Sequence, residues 1–333
     1  MAAEAGASLS GMEFTGKYTL APYGASLNKG LPFRWASFYG EDGSPLIGAD
    51  GEPLKNGIGE RERDIARALI AGPVYARLDQ AEPALQDWLR RGQPNCFLPY
   101  DRMGIDPFTQ SFRITLKAEG TVRGTGGIRP AADDCATDIP GLYVAGDAAS
   151  RENMTGAVSG GGAVNASWAI ASGWWSGHGA SAHAKRVQAK AFRTVSRPLG
   201  QAALRPAATA KPFDVREVVE AVRAEVIPLE RNYFRSGDRC EESRNRLDAL
   251  WRQVREHARA EGPQRLVARE AAAVLACGRW SLTAALARTE SRGMHRREDF
   301  PGRDPALARR IVLSGTETIR VETDVADSRE LAS

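Results

Sequence analysis

The chain has 333 residues, 42% of them hydrophobic, with 45 basic against 41 acidic side chains and a net charge of +4. That is enough apolar material for about two packed domains, which excludes a disordered chain. Mean hydropathy is −0.37, and the apolar stretches fall well short of the ~20 residues needed to cross a bilayer. The arginines are dispersed among acidic neighbours rather than gathered into a nucleic-acid footprint.

In chain order, the opening MAAEAGASLS has neither the basic nor the apolar region of a secretory signal, so the cytoplasm is the expected compartment. Gly48 to Gly59 reads as a loop, and a helix is predicted from Glu60 to Ala71, stopped by Gly72-Pro73. A second short helix is predicted over Gln80 to Arg91. Ile114 to Leu116 and Leu142 to Ala145 read as strands bounded by turns, so the first 180 or so residues are expected to be α/β. A looser Pro-, Ala- and Ser-rich stretch runs from Ser196 to Pro212.

Three amphipathic patterns follow: Val215 to Tyr233, Asp238 to Ala260 and Gln264 to Glu290. In the first, Val215, Val218, Val219, Val222, Val226 and Leu229 recur at three- and four-residue steps, placing them on one helical face. A helical bundle is predicted there. The tail from Arg310 then changes period and reads as a strand, a Ser-Gly turn and a second strand. Cys96, Cys135, Cys240 and Cys277 are widely spaced with no CxxC, which suits free thiols and offers no zinc or iron–sulfur ligand set.

Gly141 to Gly177 carries the clearest chemistry. Its predicted strand ends in Gly146-Asp147, and Ser159 to Gly162 open a helix of small and apolar residues. Glycines allow a ligand close to the backbone, while a helix N-terminus offers free N–H groups and a positive dipole end. Asp147 could accept a hydrogen bond from a sugar hydroxyl. Tight packing of a helix on a sheet would use the same residues.

Together with GTGGIRPAADDCATDIP, the opening MAAEAGASLSGMEF, the helix ERERDIARALI and the late block ARTESRGMHRREDFPGRD, this segment resembles the flavoprotein subunit family of succinate dehydrogenase and fumarate reductase. That family also includes L-aspartate oxidase and adenylylsulfate reductase. The resemblance runs from residue 1 to about 304 and is most specific at Arg288 to Gly293, with His295, Arg297, Asp299 to Pro301, Arg303 and Asp304.

The resemblance implies an FAD-dependent oxidoreductase in which a hydride passes between the flavin and a small-molecule substrate held under a capping domain. The expected organisation is a partial FAD-binding domain (1–23 and 119–195), an inserted α+β cap (24–118), a helical domain (212–304) and a hairpin-like tail (305–333). Gly146 and Asp147 are then expected at the ribityl–pyrophosphate region, with Gly161, Gly162, Val164 and Asn165 at the isoalloxazine edge. Arg63, beside Asp64, matches the family's proton-relaying arginine. Without the resemblance, that pair reads equally well as a helix-terminal ion pair on a solvated face.

The Arg288 to Arg303 block is expected to be a salt-bridged junction, and His295 lacks a second histidine at metal-ligand spacing. His178, His183 and His257 read as surface residues. Trp168, Trp174 and Trp175 read as packing side chains.

Two departures qualify the resemblance. Val122 stands where the dehydrogenases carry a histidine, Gly156 to Gly162 replaces a segment containing their arginine, and Tyr18 lies near the position of another histidine. Without those groups the charge-assisted grip on two carboxylates is lost, which argues against succinate or fumarate. The sequence also lacks the strand, GxGxxG turn and acidic residue that hold the adenosine end of FAD. The chain is therefore expected to be the C-terminal portion of a longer flavoprotein, partnered by a separate chain supplying that half or by an electron-transfer subunit. The alternative is a non-catalytic remnant or interaction subunit that cannot hold FAD alone.

Overall fold

The structure, a computed structural model, describes residues 1–26, 29–59, 61–119, 124–159, 161–191, 211–212 and 214–324. Val122 and the looser stretch from Ser196 to residue 210 lie outside them. The chain divides into two compact units, Tyr18–Glu119 and Met1–Lys17 with Gly120–Ser333.

The Tyr18–Glu119 unit is built on an antiparallel sheet of β2 (Tyr18–Pro22), β5 (Phe112–Ala118), β4 (Tyr75–Arg77) and β3 (Ser37–Tyr39), in that order. In β5, Phe112, Ile114 and Leu116 are buried while Arg113 is exposed, the period-two pattern of a strand with one covered face. Three helices accompany the sheet: α1 (Arg61–Ala71), α2 (Pro83–Gly92) and α3 (Pro94–Met103). Gly104, at φ +66°, ends α3 in the left-handed conformation that glycine tolerates best. Phe33, Phe38, Leu54, Ile65 and Phe97 are fully buried in this unit.

The other unit contains the sheet β10 (Arg320–Asp324), β9 (Arg310–Ser314), β1 (Leu9–Ser10) and β6 (Gly127–Ile128), with all neighbours antiparallel. The tail strands thus join the N-terminal strand in one sheet. Short helix α4 (Glu152–Thr155) and long helix α5 (Gly161–Ala191) follow β6. A two-residue parallel pairing joins β7 (Lys211–Pro212) to β8 (Ala258–Arg259).

The bundle consists of α6 (Val215–Val226), α7 (Gly237–His257) and α8 (Gln264–Ala287). Val218 and Val222 of α6, Leu247, Trp251 and Val254 of α7, and Ala271, Ala272, Leu275 and Ala276 of α8 form one buried cluster. Gly278 permits the close approach, since a methyl group there would lie 2.9 Å from Leu247 Cδ1 and 3.2 Å from Val222 Cγ1. Asp214 caps α6 by accepting the Arg216 N–H at 2.7 Å.

Two sequence expectations need correction. The pattern over Val215 to Tyr233 is not one helix: α6 ends at Val226, and a separate wide turn spans Leu229–Tyr233. Pro228 lies between them and has no N–H to continue the ladder. Leu142 to Ala145 is not a strand but makes a single bridge, Tyr143 to Ala136. It hydrogen-bonds to one short neighbour, through Thr137 N to Leu142 O (2.9 Å) and Val144 N to Cys135 O (3.0 Å), too little for a ladder.

Candidate cofactor site

The Gly146-Asp147 turn is held from three directions. Trp168 and Ser172 stand one helical turn apart on α5 and face it together. The Trp168 indole Nε1 donates to Gly146 O at 3.0 Å, and Gly146 N donates to Ser172 Oγ at 2.9 Å. The Ser172 hydroxyl donates in turn to Trp168 O at 2.5 Å. Gly146 takes φ +60°, which its missing side chain permits.

Arg151 provides the third hold. Its buried guanidinium donates to Gly124 O through Nε (3.1 Å) and Nη2 (2.7 Å), and to Asp147 Oδ1 through Nη1 (2.9 Å). Its own N–H donates to Thr125 O at 2.9 Å. Asp147 itself is 69% exposed, so one carboxylate oxygen is oriented by Arg151 while the group still meets solvent.

The glycines of this region divide into two sets. Gly126 and Gly127 serve packing: a methyl group would lie 2.6 Å from Gly11 O at the first and 2.7 Å from Ala148 O at the second. Gly146, Gly161 and Gly162 face open space, with nothing within 4 Å of an added methyl. Gly161 N, at the start of α5, donates to Ser159 Oγ at 3.4 Å. Val164 and Asn165 lie half-buried in the first turns of the same helix.

A cavity of about 500 Å³ includes Asp147 in its wall, together with Leu9, Met12, Gly126, Trp251 and Trp280. Gly161, Gly162, Val164 and Asn165 are not among its lining residues. The structure therefore joins Gly146 and Asp147 to α5 through Trp168 and Ser172, while the cavity and the start of α5 are separate features.

Arg63 and Asp64 lie in the other unit, in the first turn of α1, with Arg63 exposed and Asp64 half-buried. Asp64 Oδ2 accepts the Ala49 N–H at 3.4 Å and so ties down the preceding loop. Arg61 pairs with Asp50 at 2.5 Å, and these hydrogen bonds bring the Asp50 carboxyl down to about 2.

The Arg288 to Arg303 block forms a buried polar cluster with residues far away in sequence. Arg288 pairs with fully buried Glu13 at 2.7 Å and with Glu290 at 2.9 Å. Arg235 Nη1 donates to Glu13 O and to His295 Nδ1, each at 2.6 Å, and His295 Nε2 donates to Arg288 O at 3.1 Å. Burial, followed by the Arg235 charge, keeps His295 neutral and well below its ordinary value. Among the described residues no group of His, Cys, Asp or Glu could hold a metal ion.

Of the histidines read as surface residues, His178 and His257 are exposed, whereas His183 is half-buried beside Tyr143. Trp168 is buried, while Trp174 and Trp175 are 65% and 43% exposed. The sequence reading missed Arg151 and Ser172. Ser172 had a signal in its spacing from Trp168; Arg151 had none.

Residues 226–328 match the family described as fumarate reductase flavoprotein C-term. No curated protein matches the chain in sequence. Among solved structures, E. coli quinol fumarate reductase FrdA is similar at 19% identity and TM-score 0.68, covering 97% of this chain and 60% of that one. Mycobacterium smegmatis Sdh1, in complex with UQ1, is similar at 21% identity and TM-score 0.70, over 97% of this chain and 56% of that one. Adenylylsulfate reductase from Archaeoglobus fulgidus is similar at 13% identity and TM-score 0.61, over 97% and 60%. The chain thus spans about three-fifths of the length of the structures that it matches, and shares their fold.

Proposed function

Residues 226–328 belong to the fumarate reductase flavoprotein C-terminal family, and from that premise we propose that this chain carries the flavin-ring end of an FAD-dependent oxidoreductase. The open backbone faces of Gly146, Gly161 and Gly162, together with a solvent-facing Asp147, carry the reading. These residues fit a flat, electron-rich ligand, because added methyl groups would fill the space it needs.

FAD, when bound, supplies a ring that accepts or releases a hydride. Gly161, Gly162, Val164 and Asn165 would meet its ring at the start of α5, where the helix dipole favours negative charge. Gly146 would allow close approach of the chain linking ring to phosphates, and Asp147, oriented by Arg151, would accept from its hydroxyls. Arg63 would move a proton at the substrate carbon. A guanidinium holds its proton tightly, so it needs carboxylate help to do so, and adjacent Asp64 is the candidate. The substrate would lack a second carboxylate, since the cationic and imidazole groups expected to grip one are replaced at Val122, Tyr18 and Gly156 to Gly162.

A second reading is that the flavin is held only when another chain supplies the rest of the fold. The span of about three-fifths of each matched structure favours it. An electron-transfer subunit would be a further partner. Passing the purified chain with added FAD through gel filtration, and reading flavin absorbance in the protein peak, separates the two. Co-eluting flavin supports the first reading, and its absence supports the second. Among the described residues no helix is long and apolar enough to cross a membrane.

A further inference from the structure

We propose that Arg151 is a positioning residue that selects flavins carrying a hydroxylated chain, because it holds the Asp147 carboxylate in one orientation to accept from that chain. The inference rests on the flavin reading above and adds to it a determinant of which flavin is held. Asp147 sits on the short turn Gly146–Ala148 and is 69% exposed. Left alone, a carboxylate there turns between rotamers in water, and a ligand that needs one of them must fix it on binding.

Arg151 is itself fixed by groups other than Asp147. Its side chain is 5% exposed, and Nε and Nη2 both donate to Gly124 O, at 3.1 and 2.7 Å, so a carbonyl sets the plane of the guanidinium. Its backbone is held as well. The Arg151 N–H donates to Thr125 O at 2.9 Å, and its carbonyl accepts from Met154 N at 2.9 Å and Thr155 N at 3.0 Å. Preceding Ser150 N donates to Ile128 O at 2.8 Å, which lays this segment along β6. Nη1 therefore meets Asp147 Oδ1 at 2.9 Å from a direction that neither the turn nor a ligand determines. The carboxylate is oriented when the chain folds rather than when the ligand binds.

The planar fork is what allows one side chain to serve both partners. A lysine ammonium would carry the same charge on a flexible stem without a fixed plane. On the ligand side, riboflavin has the hydroxylated chain, whereas lumiflavin has the same ring with a methyl group in place of the chain. Neither carries a net charge, so the difference between them reports hydrogen bonding and orientation.

Equilibrium dialysis of the full chain against riboflavin and against lumiflavin tests the assignment. Wild type should prefer riboflavin by roughly ten-fold or more. Arg151→Lys should cut that preference at least about three-fold while leaving lumiflavin affinity within about two-fold. Asp147→Ala alters an exposed side chain and so tests the proposal even where the Arg151 variant folds poorly; it should cut the preference at least as far. Adding Arg151→Lys to Asp147→Ala should change the preference no further, as required of a residue that acts through Asp147. An unchanged preference in either single variant, or an equal loss on both ligands, would overturn the proposal. Wild type that binds lumiflavin without preferring riboflavin would overturn it while leaving the flavin-ring reading in place, and wild type that binds neither would overturn both.

Discussion

Arg151 meets the exposed Asp147 carboxylate at 2.9 Å while its other nitrogens hold the carbonyl of Gly124, so one buried guanidinium joins two loops. The carbonyl is the energetically important partner, since an exposed ion pair contributes little. Arg151→Ala should lower stability by about 1–3 kcal/mol through the stranded carbonyl, whereas Asp147→Ala should stay within about 1 kcal/mol. Urea unfolding of both variants would check the order.

The buried Glu13–Arg288 pair makes the opposite kind of prediction. Neither charge reaches water, and Glu13→Ala leaves Arg288 with Glu290 as its remaining carboxylate, so breaking the buried pair should cost about 3 kcal/mol. Replacing both with apolar residues of similar volume should recover much of the loss. A double-mutant cycle by thermal or urea unfolding measures the difference.

Asp299 supplies an acid-side signature. Two hydrogen bonds from Arg297, each 2.7 Å, hold its carboxyl well below the ordinary value of 3.8, with Gly237 N adding a third at 2.8 Å. Because the folded value is depressed, this stabilisation is present above 3.8 and is lost as pH falls below it. Asp299→Asn should make the chain less stable at neutral pH and flatten its loss of stability on acidification, as read by unfolding at a series of acid pH values.

Arg63 is exposed at the start of α1, so removing it should disturb the fold by less than about 0.5 kcal/mol. In the flavin-loaded protein, Arg63→Ala should slow turnover on its substrate by roughly 100-fold or more while leaving flavin content unchanged. Unaltered turnover at equal flavin content would remove the proton-relay role.

Much of this architecture was legible because it rests on local patterns. The valines of α6 announce their shared face, and Gly72-Pro73 announces the end of α1. Pro228 was equally visible but was overridden by a periodicity that continued through Leu229. Leu142 to Ala145 is apolar enough for a strand, but strand formation depends on neighbours, and its bridge partner among the described residues is a short turn.

The backbone needs of two glycines were legible: Gly146 and Gly161 take φ of +60° and +75°, which glycine tolerates best. The supports of the candidate site were not. Arg151 reaches across 27 positions to Gly124, and Arg288 across 275 to Glu13. No spacing rule connects such residues, and a charged residue read along the chain is ordinarily assigned to the surface.

The central claim is that the open glycines at the start of α5 receive a flavin ring. Trp168, which holds the Gly146 turn, lies two turns along α5 from Gly161, and Trp174 and Trp175 follow on the same helix, so a ring bound at its start should quench tryptophan emission. Titrating FAD into wild type and Gly162→Leu while recording that emission tests the claim most directly. The account predicts saturable quenching in wild type and at least ten-fold weaker binding, about 1.4 kcal/mol, in the variant. Equal affinity in the two proteins would contradict it.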